Sequence, residues 1–251
     1  MLNTITHGQP TDLPPLVIVH GLFGSARNWG VIAKRLADRR QVVAVDLRNH
    51  GASPWFDTHS YHDMADDLGR TLDGLGPVDL VWHSMGGKAA MVLALTRPER
   101  VNRLLVADIA PVPYGHTQMQ YIDAMRRVDL ARVERRADAA AQLADHGVDP
   151  ALQSFFTQSL DLREKRWQLN LDALADHMPH ILSFPDISGA YDAPTLFLSG
   201  GKSDYVQREH RPRIRELFPA ARFARLPNAG HWLHAEEPRA FEASVRAFMG
   251  G

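Results

Sequence analysis

The chain has 251 residues, of which 45% are hydrophobic, and this composition is enough to bury one large core. Its 28 basic and 29 acidic residues leave a formal net charge of −1, so no global field attracts nucleic acid or an anionic membrane. Cysteine is absent, which excludes disulfides, thiolate zinc sites and a cysteine nucleophile.

The N-terminal residues MLNTITHG lack the basic and apolar regions of a signal peptide. No run approaches the ~18 apolar residues of a membrane span. We therefore expect one cytoplasmic domain without nucleic-acid or membrane partners. The sequence does not indicate the oligomeric state.

Strand patterns alternate with helical patterns through most of the chain. A weak alternation at 2–6 predicts a short edge strand. Further strands are predicted at 16–19, 42–45, 78–82, 101–107, 195–199 and 222–226. Helical spacing is found at 26–39 and after Ser60 and Asp63, which have the spacing of a capping box. This order predicts an α/β fold with a doubly wound, mostly parallel β-sheet and right-handed crossovers.

The segment 114–190 has a different character. It is rich in Arg, Ala, Gln and Leu and contains no convincing strand, so we expect several helices inserted into the sheet topology. The predicted division is 1–113 with 191–251 for the sheet unit and 114–190 for the helical insertion. Large apolar residues of the insertion are candidates for its own core and for a ligand pocket: Met119, Tyr121, Phe155, Phe156, Trp167 and Met178.

Ser84 lies on a sharp corner between the strand at 78–82 and a helical run that starts at residue 88. A serine hydroxyl at such a corner stands clear of the sheet, and the free N–H groups at the start of the helix can hold a developing oxyanion. Gly86 and Gly87 suit the close approach of strand and helix. On this motif alone, an ordinary glycine-rich turn is an equally good interpretation.

Five motifs together resemble the α/β-hydrolase superfamily and, within it, the compact bacterial acyl esterases of the YbfF type. They are HGLFGS at 20–25, DLRNHG at 46–51, HSMGGKA at 83–89, DIAPV at 108–112 and AGHW at 229–232. One departure from the superfamily pattern G-x-S-x-G is Trp82, which replaces the first glycine. Either the strand runs wider there or the indole enters a neighbouring layer.

The resemblance implies a nucleophile at Ser84 and a base at His231, in the chain order serine, acid, histidine. It implies an oxyanion hole made by the backbone N–H of Leu22, or less favourably Phe23, together with that of Met85. The resemblance also implies that the helical insertion is a cap over the active site. We interpret His20, Asp46, Arg48 and His50 as structural residues of the adjoining loops.

Two aspartates compete for the role of the triad acid. Asp108 closes the strand at 101–107 and belongs to the DIAPV motif. Asp204 lies in the loop after the next strand, which is the commoner site in the superfamily. An alignment on Val206, however, places Ser203 where that carboxylate usually lies. We therefore favour Asp108 and keep Asp204 as the alternative.

The expected activity is hydrolysis of small-molecule carboxylic esters or thioesters with short to medium acyl chains, through an acyl-enzyme intermediate and without a cofactor. Three alternatives stay open: a catalytically silent ligand-binding protein, a perhydrolase and a carbon–carbon bond hydrolase. A metal site is not expected, because His59 and His62 lack the H-E-x-x-H context.

Overall fold

The computed structural model describes residues 1–250, which form nine strands. The strands are β1 Thr4–His7, β2 Leu16–Val19, β3 Val42–Val45, β4 Val78–His83, β5 Val101–Ala107, β6 Leu160–Asp161, β7 Arg166–Trp167, β8 Thr195–Gly200 and β9 Ala221–Leu226.

Seven strands build one sheet in the order β1-β3-β2-β4-β5-β8-β9. Strand β1 pairs with β3 in antiparallel orientation at the edge, and the other pairs are parallel. Strand β4 lies in the middle of the sheet, between β2 and β5. The expected mostly parallel sheet is therefore confirmed. The residue that follows β4 lies at the centre of the edge of the sheet where the parallel strands end.

Between the strands and after the last of them, residues 1–250 form eleven α-helices. They are α1 Gly30–Leu36, α2 Tyr61–Thr71, α3 Met85–Thr96, α4 Met119–Arg126, α5 Arg136–Asp145, α6 Pro150–Thr157, α7 Leu171–Asp176, α8 Met178–Leu182, α9 Arg211–Leu217, α10 Leu233–Glu236 and α11 Pro238–Met249. Among the described residues, no helix combines the length and the apolar character needed to cross a membrane.

Helices cover both faces of the sheet, as the doubly wound arrangement requires. On one face, α1 and α11 bury Leu36 and Phe241 against Ile18 of β2. On the other face, α2, α3 and α9 pack over the same strands and bury residues such as Leu68 and Ile214. Each face therefore has its own apolar core.

Two local predictions about helix starts have different outcomes. At α2 the capping box is present, because the Ser60 hydroxyl accepts from the backbone N–H of Asp63 at 3.1 Å and the Asp63 carboxylate accepts from that of Ser60 at 3.1 Å. The single helix expected at 26–39 is wrong. A 3₁₀ turn at Ala26–Trp29 comes first, tied by the bond from Ser25 N to Asn28 Oδ1 at 2.6 Å, and α1 begins only at Gly30.

The insertion between β5 and β8 contains α4 to α8. It also contains the small antiparallel hairpin β6–β7, so the expectation of a strand-free insertion is wrong. Two residue pairs are too short to produce a period-two pattern in the sequence. The hairpin is anchored by Trp167, whose indole N–H donates to the carbonyl of Met125 in α4 at 3.0 Å.

Candidate active site

Ser84 occupies the turn between β4 and α3 and has an uncommon backbone conformation, with φ 53° and ψ −124°. Its backbone N–H donates to the carbonyl of Ala107 at the end of β5, at 3.1 Å. A non-glycine residue at positive φ is strained, and such strain clusters at functional sites. The strand–turn–helix corner expected from the sequence is thus present, with the serine at its apex.

The glycines after Ser84 are required by close packing. A Cβ on Gly86 would lie 2.4 Å from the carbonyl oxygen of His20, and one on Gly87 would lie 2.5 Å from a methyl carbon of Ile109. Trp82 does not disturb the corner, because β4 keeps regular register with both neighbours at this residue. Its indole is fully buried in the core shared with α2 and α3, which is the second of the two expected arrangements.

Ser84, His231 and Asp108 form one continuous chain of hydrogen bonds. The Ser84 hydroxyl lies 3.0 Å from Nε2 of His231, and Nδ1 of His231 lies 2.8 Å from Oδ2 of Asp108. Because a carboxylate only accepts, Nδ1 carries the proton and Nε2 is free to accept from the hydroxyl. This geometry suits proton transfer from the serine to the imidazole.

Asp108 is fully buried and its carboxylate is held by several donors. Oδ1 accepts from the backbone N–H of Gly200 at 2.9 Å, and Oδ2 accepts from the Ser203 hydroxyl in addition to His231. These donors compensate the loss of hydration that a buried carboxylate suffers.

Asp204 lies outside this hydrogen-bonded chain. Its side chain is exposed, and Oδ1 accepts from Nε2 of Gln207 at 3.1 Å. The residue that turns inward from the same loop is Ser203, which reaches Asp108. The structure therefore brings Asp108 to His231 and does not bring Asp204 there.

The backbone around His231 is fixed by two residues that the sequence reasoning missed. Glu236 accepts from the N–H of Gly230 at 2.7 Å and from that of Trp232 at 3.2 Å. His83 is buried, and its Nε2 lies 2.8 Å from the carbonyl oxygen of His231. Burial and the neighbouring His231 hold the pKa of His83 well below its usual range, so the neutral ring donates its Nε2–H.

The candidate oxyanion donors differ in availability. The N–H of Phe23 donates to Nε2 of His50 at 3.2 Å, so it is not free for an oxyanion. The N–H groups of Leu22 and Met85 have no acceptor within residues 1–250, and both residues line the cavity beside Ser84. Leu22 and Met85 are therefore the pair that the backbone makes available.

The loops around these donors are braced by the residues expected to be structural. Nε2 of His20 accepts from the N–H of Leu47 at 3.0 Å, and its Nδ1 donates to the carbonyl of Gly21 at 2.8 Å. Burial lowers the pKa of His20, which agrees with a neutral ring in these roles. Asp46 accepts from the N–H of Ala26 at 2.6 Å, and Arg48 pairs with Asp67 at 2.6 Å.

A cavity of about 310 Å³ opens over Ser84. The insertion contributes apolar and aromatic side chains to its wall: Tyr121, Leu152, Phe155, Phe156, Ile181 and Leu182. Of the six large residues singled out in the insertion, Tyr121, Phe155 and Phe156 are in this wall. Among the described residues, no group of three or more His, Asp or Glu side chains is arranged to hold a metal ion.

Lys88 also lines the cavity, although its side chain is almost fully buried. Its ammonium donates to the carbonyls of Val112 at 2.9 Å, Leu182 at 3.1 Å and Ser183 at 2.6 Å. It also lies 4.6 Å from the centre of the Tyr114 ring. The lysine thus joins α3 to the end of α8 in the insertion.

Comparisons with known proteins agree with this architecture. A family model described as the alpha/beta hydrolase fold matches residues 14–238. The sn-1-specific diacylglycerol lipase ABHD11 of Mus musculus is 44% identical, with 94% of this chain and 81% of the mouse protein covered. Esterase YbfF of Escherichia coli K12 is 38% identical over 94% of this chain and 92% of its own length. The solved structure of a marine microorganism esterase superimposes with a TM-score of 0.93 at 36% identity, covering 98% of both chains. This chain belongs to the α/β-hydrolase family.

Proposed function

We propose that this protein is a serine hydrolase that cleaves carboxylic esters or thioesters with short to medium acyl chains, using Ser84, His231 and Asp108. The single observation that carries the proposal is the unbroken hydrogen-bonded chain from the Ser84 hydroxyl through His231 to the buried Asp108. The names of the esterase relatives support the same class of reaction.

In the acylation step, Nε2 of His231 takes the hydroxyl proton while Ser84 Oγ attacks the carbonyl carbon of the substrate. Asp108 holds the imidazole in the tautomer with the proton on Nδ1 and stabilises the imidazolium. The carbonyl oxygen becomes an oxyanion, and the free N–H groups of Leu22 and Met85 are the proposed donors to it.

Collapse of the tetrahedral intermediate breaks the bond to the leaving group, which receives the proton from Nε2 of His231. The acyl group stays on Ser84 as an ester. In the deacylation step a water molecule gives its proton to the same nitrogen and attacks the acyl carbon. The carboxylic acid leaves, and Ser84 regains its proton.

The cavity supports the proposed chain length. At about 310 Å³ it lies near the lower limit of ordinary ligand pockets, and the aromatic wall from the insertion suits an alkyl chain. We also propose that 114–190 acts as a cap that completes this pocket, with 1–113 and 191–251 as the catalytic unit. The bonds from Lys88 to the carbonyls of Leu182 and Ser183, which hold this segment against α3, support the proposed cap.

Acylglycerol hydrolysis is a second candidate, favoured by the 44% identity to a protein named as an sn-1-specific diacylglycerol lipase. Both candidates use the same serine chemistry and differ in the leaving alcohol and in acyl length. A catalytically silent receptor is disfavoured because such a protein has no need for a complete serine–histidine–aspartate chain.

The test combines labelling with a substrate panel. Wild-type protein is treated with a fluorophosphonate probe and assayed on p-nitrophenyl esters, acyl-CoA thioesters and diacylglycerols of matched acyl length. Ser84→Ala should lose both labelling and turnover. Ser199→Ala removes a different serine, whose hydroxyl contacts Ala224 O, and should retain both. Normal labelling of the Ser84→Ala protein would end the proposal, and faster turnover of diacylglycerol than of simple esters would favour the second candidate.

A further inference from the structure

The imidazole of His231 is covered on one face by the ring of Tyr205. The two ring centres are 3.9 Å apart and the planes differ by 19°, so the rings are stacked. A second ring, that of His83, lies 4.7 Å away at an angle of 44°. The proposed base is thus enclosed by rings that limit the rotation of its side chain.

Tyr205 is itself held at both ends. Its carbonyl accepts from the Tyr114 hydroxyl at 2.7 Å, and its backbone N–H donates to Ser203 Oγ at 3.3 Å. The phenol oxygen lies 2.8 Å from Nε2 of His116. Because Tyr114 also accepts from the N–H of Ala110, at 2.9 Å, the stack is tied to the segment that carries Asp108.

The stacked ring has two consequences for proton transfer. It restricts the imidazole to the plane in which Nδ1 faces Asp108 and Nε2 faces Ser84. The negative face of an aromatic ring also attracts a cation, so the stack favours the imidazolium that forms when His231 takes the serine proton. Burial, with the nearby charge of Asp108, raises the pKa of Tyr205 to about 12, so the phenol stays neutral during this step.

We propose that Tyr205 is a positioning residue for His231, with its aromatic ring as the active feature and its bond to His116 as a support. The inference rests on the proposed role of His231 as the base. It requires that loss of the ring impairs chemistry more than substrate binding, and that loss of the hydroxyl alone has a small effect.

The test compares Tyr205→Phe, which keeps the ring, with Tyr205→Leu and Tyr205→Gln, which remove it. In both ring-less variants kcat should fall roughly tenfold or more with little change in KM. A tenfold change corresponds to about 1.4 kcal/mol, within the range of a ring–cation contact. Tyr205→Phe should retain at least half of the wild-type kcat. Equal kcat in all four proteins, or equal losses in Tyr205→Phe and Tyr205→Leu, would overturn the proposal.

A spectroscopic measurement tests the same inference without turnover. The proton between His231 Nδ1 and Asp108 should give a low-field proton NMR signal in wild-type protein and in Tyr205→Phe, and a broadened or missing signal in the ring-less variants. Thermal unfolding shows which variants are folded. If Ser84-dependent turnover is absent in wild-type protein but the signal depends on the ring, the proposed function fails and the positioning role stands. If turnover is present and the signal is indifferent to the ring, only the positioning role fails.

Discussion

The hydroxyl of Ser203 donates to Oδ2 of Asp108, the same oxygen that accepts from Nδ1 of His231. The loop after β8 therefore supports Asp108, the proposed triad acid, without supplying a carboxylate of its own. Ser203→Ala should lower kcat roughly tenfold, since a hydrogen bond to a charged group contributes about 1.5–3 kcal/mol and the other donors to Asp108 remain. Steady-state kinetics on a p-nitrophenyl ester measure the effect. Ser199→Ala is the matched control, and an unchanged kcat in Ser203→Ala would contradict the supporting role.

Asp108→Asn should lower kcat by about 10⁴-fold, because the amide favours the wrong tautomer of His231 and cannot stabilise the imidazolium. Asp204→Asn should change kcat less than twofold or so, since this side chain is exposed and bonded to Gln207. Both variants are measured with the same ester after their folding is verified by circular dichroism. A larger loss in Asp204→Asn than in Asp108→Asn would reverse the assignment.

Some parts of this site were predictable from the sequence because they depend on local backbone geometry. The corner at Ser84 needs glycines close after it. Asp108 lies directly after β5 and His231 lies in the loop that follows β9, and a parallel sheet brings such residues to one edge. Support from distant residues left no local pattern. His83 reaches the carbonyl of a residue 148 positions away, and no periodicity in the sequence predicts such a contact.

The sequence also could not decide between adjacent candidates for the oxyanion hole. Leu22 and Phe23 are adjacent, and only the bond from the Phe23 N–H to His50 distinguishes them. The hairpin β6–β7 has two residue pairs. The side chain of Asn28 ties the 3₁₀ turn before α1 by two bonds, because its Oδ1 accepts from the N–H and from the hydroxyl of Ser25. Features determined by one or two contacts do not produce a repeat that can be recognised in the sequence.

Glu236→Ala should lower kcat several-fold with little effect on thermal stability. The carboxylate accepts from the N–H groups of Gly230 and Trp232 on either side of His231. In the variant, water can reach these N–H groups because the turn is exposed, but water does not hold the turn in a fixed geometry. The measurement is kcat together with the midpoint of thermal unfolding. Glu237→Ala, at the neighbouring position, serves as control, and equal kinetics of the two variants would rule out the role of Glu236.

Lys88 predicts a pH-dependent difference in stability between the wild type and Lys88→Met. Burial lowers the pKa of Lys88 from 10.5 to about 7, so the unfolded chain binds more protons than the folded chain between these values. The cost of burying the charged amine is fully present below about pH 7 and decreases as the pH rises toward 10.5. The free energy of unfolding of the wild type, relative to Lys88→Met, should therefore increase over this window.

Urea unfolding of both proteins at about pH 6, 8 and 9.5 measures this difference. The comparison with Lys88→Met cancels the titration of groups common to both proteins. Lys202→Met removes an exposed lysine and should show no comparable trend. A difference between wild type and Lys88→Met that stays constant or decreases with pH would contradict the prediction.

Acyl-chain preference should follow the size of the cavity. Each methylene that enters the pocket contributes roughly 0.8 kcal/mol, and a longer chain must extend into water or displace the insertion once the pocket is full. For a cavity of about 310 Å³ we expect kcat/KM to rise from acetyl to butyryl or hexanoyl esters and then to fall. Phe155→Ala removes a ring from the aromatic wall and so enlarges the cavity, which should move the maximum of kcat/KM to a longer acyl chain. Phe56→Ala changes an exposed ring outside that wall and should leave the maximum in place. The measurement is a series of p-nitrophenyl esters from acetyl to palmitoyl, each below its micelle concentration. A steady rise to palmitoyl in the wild type would contradict the short-chain assignment and favour a lipase.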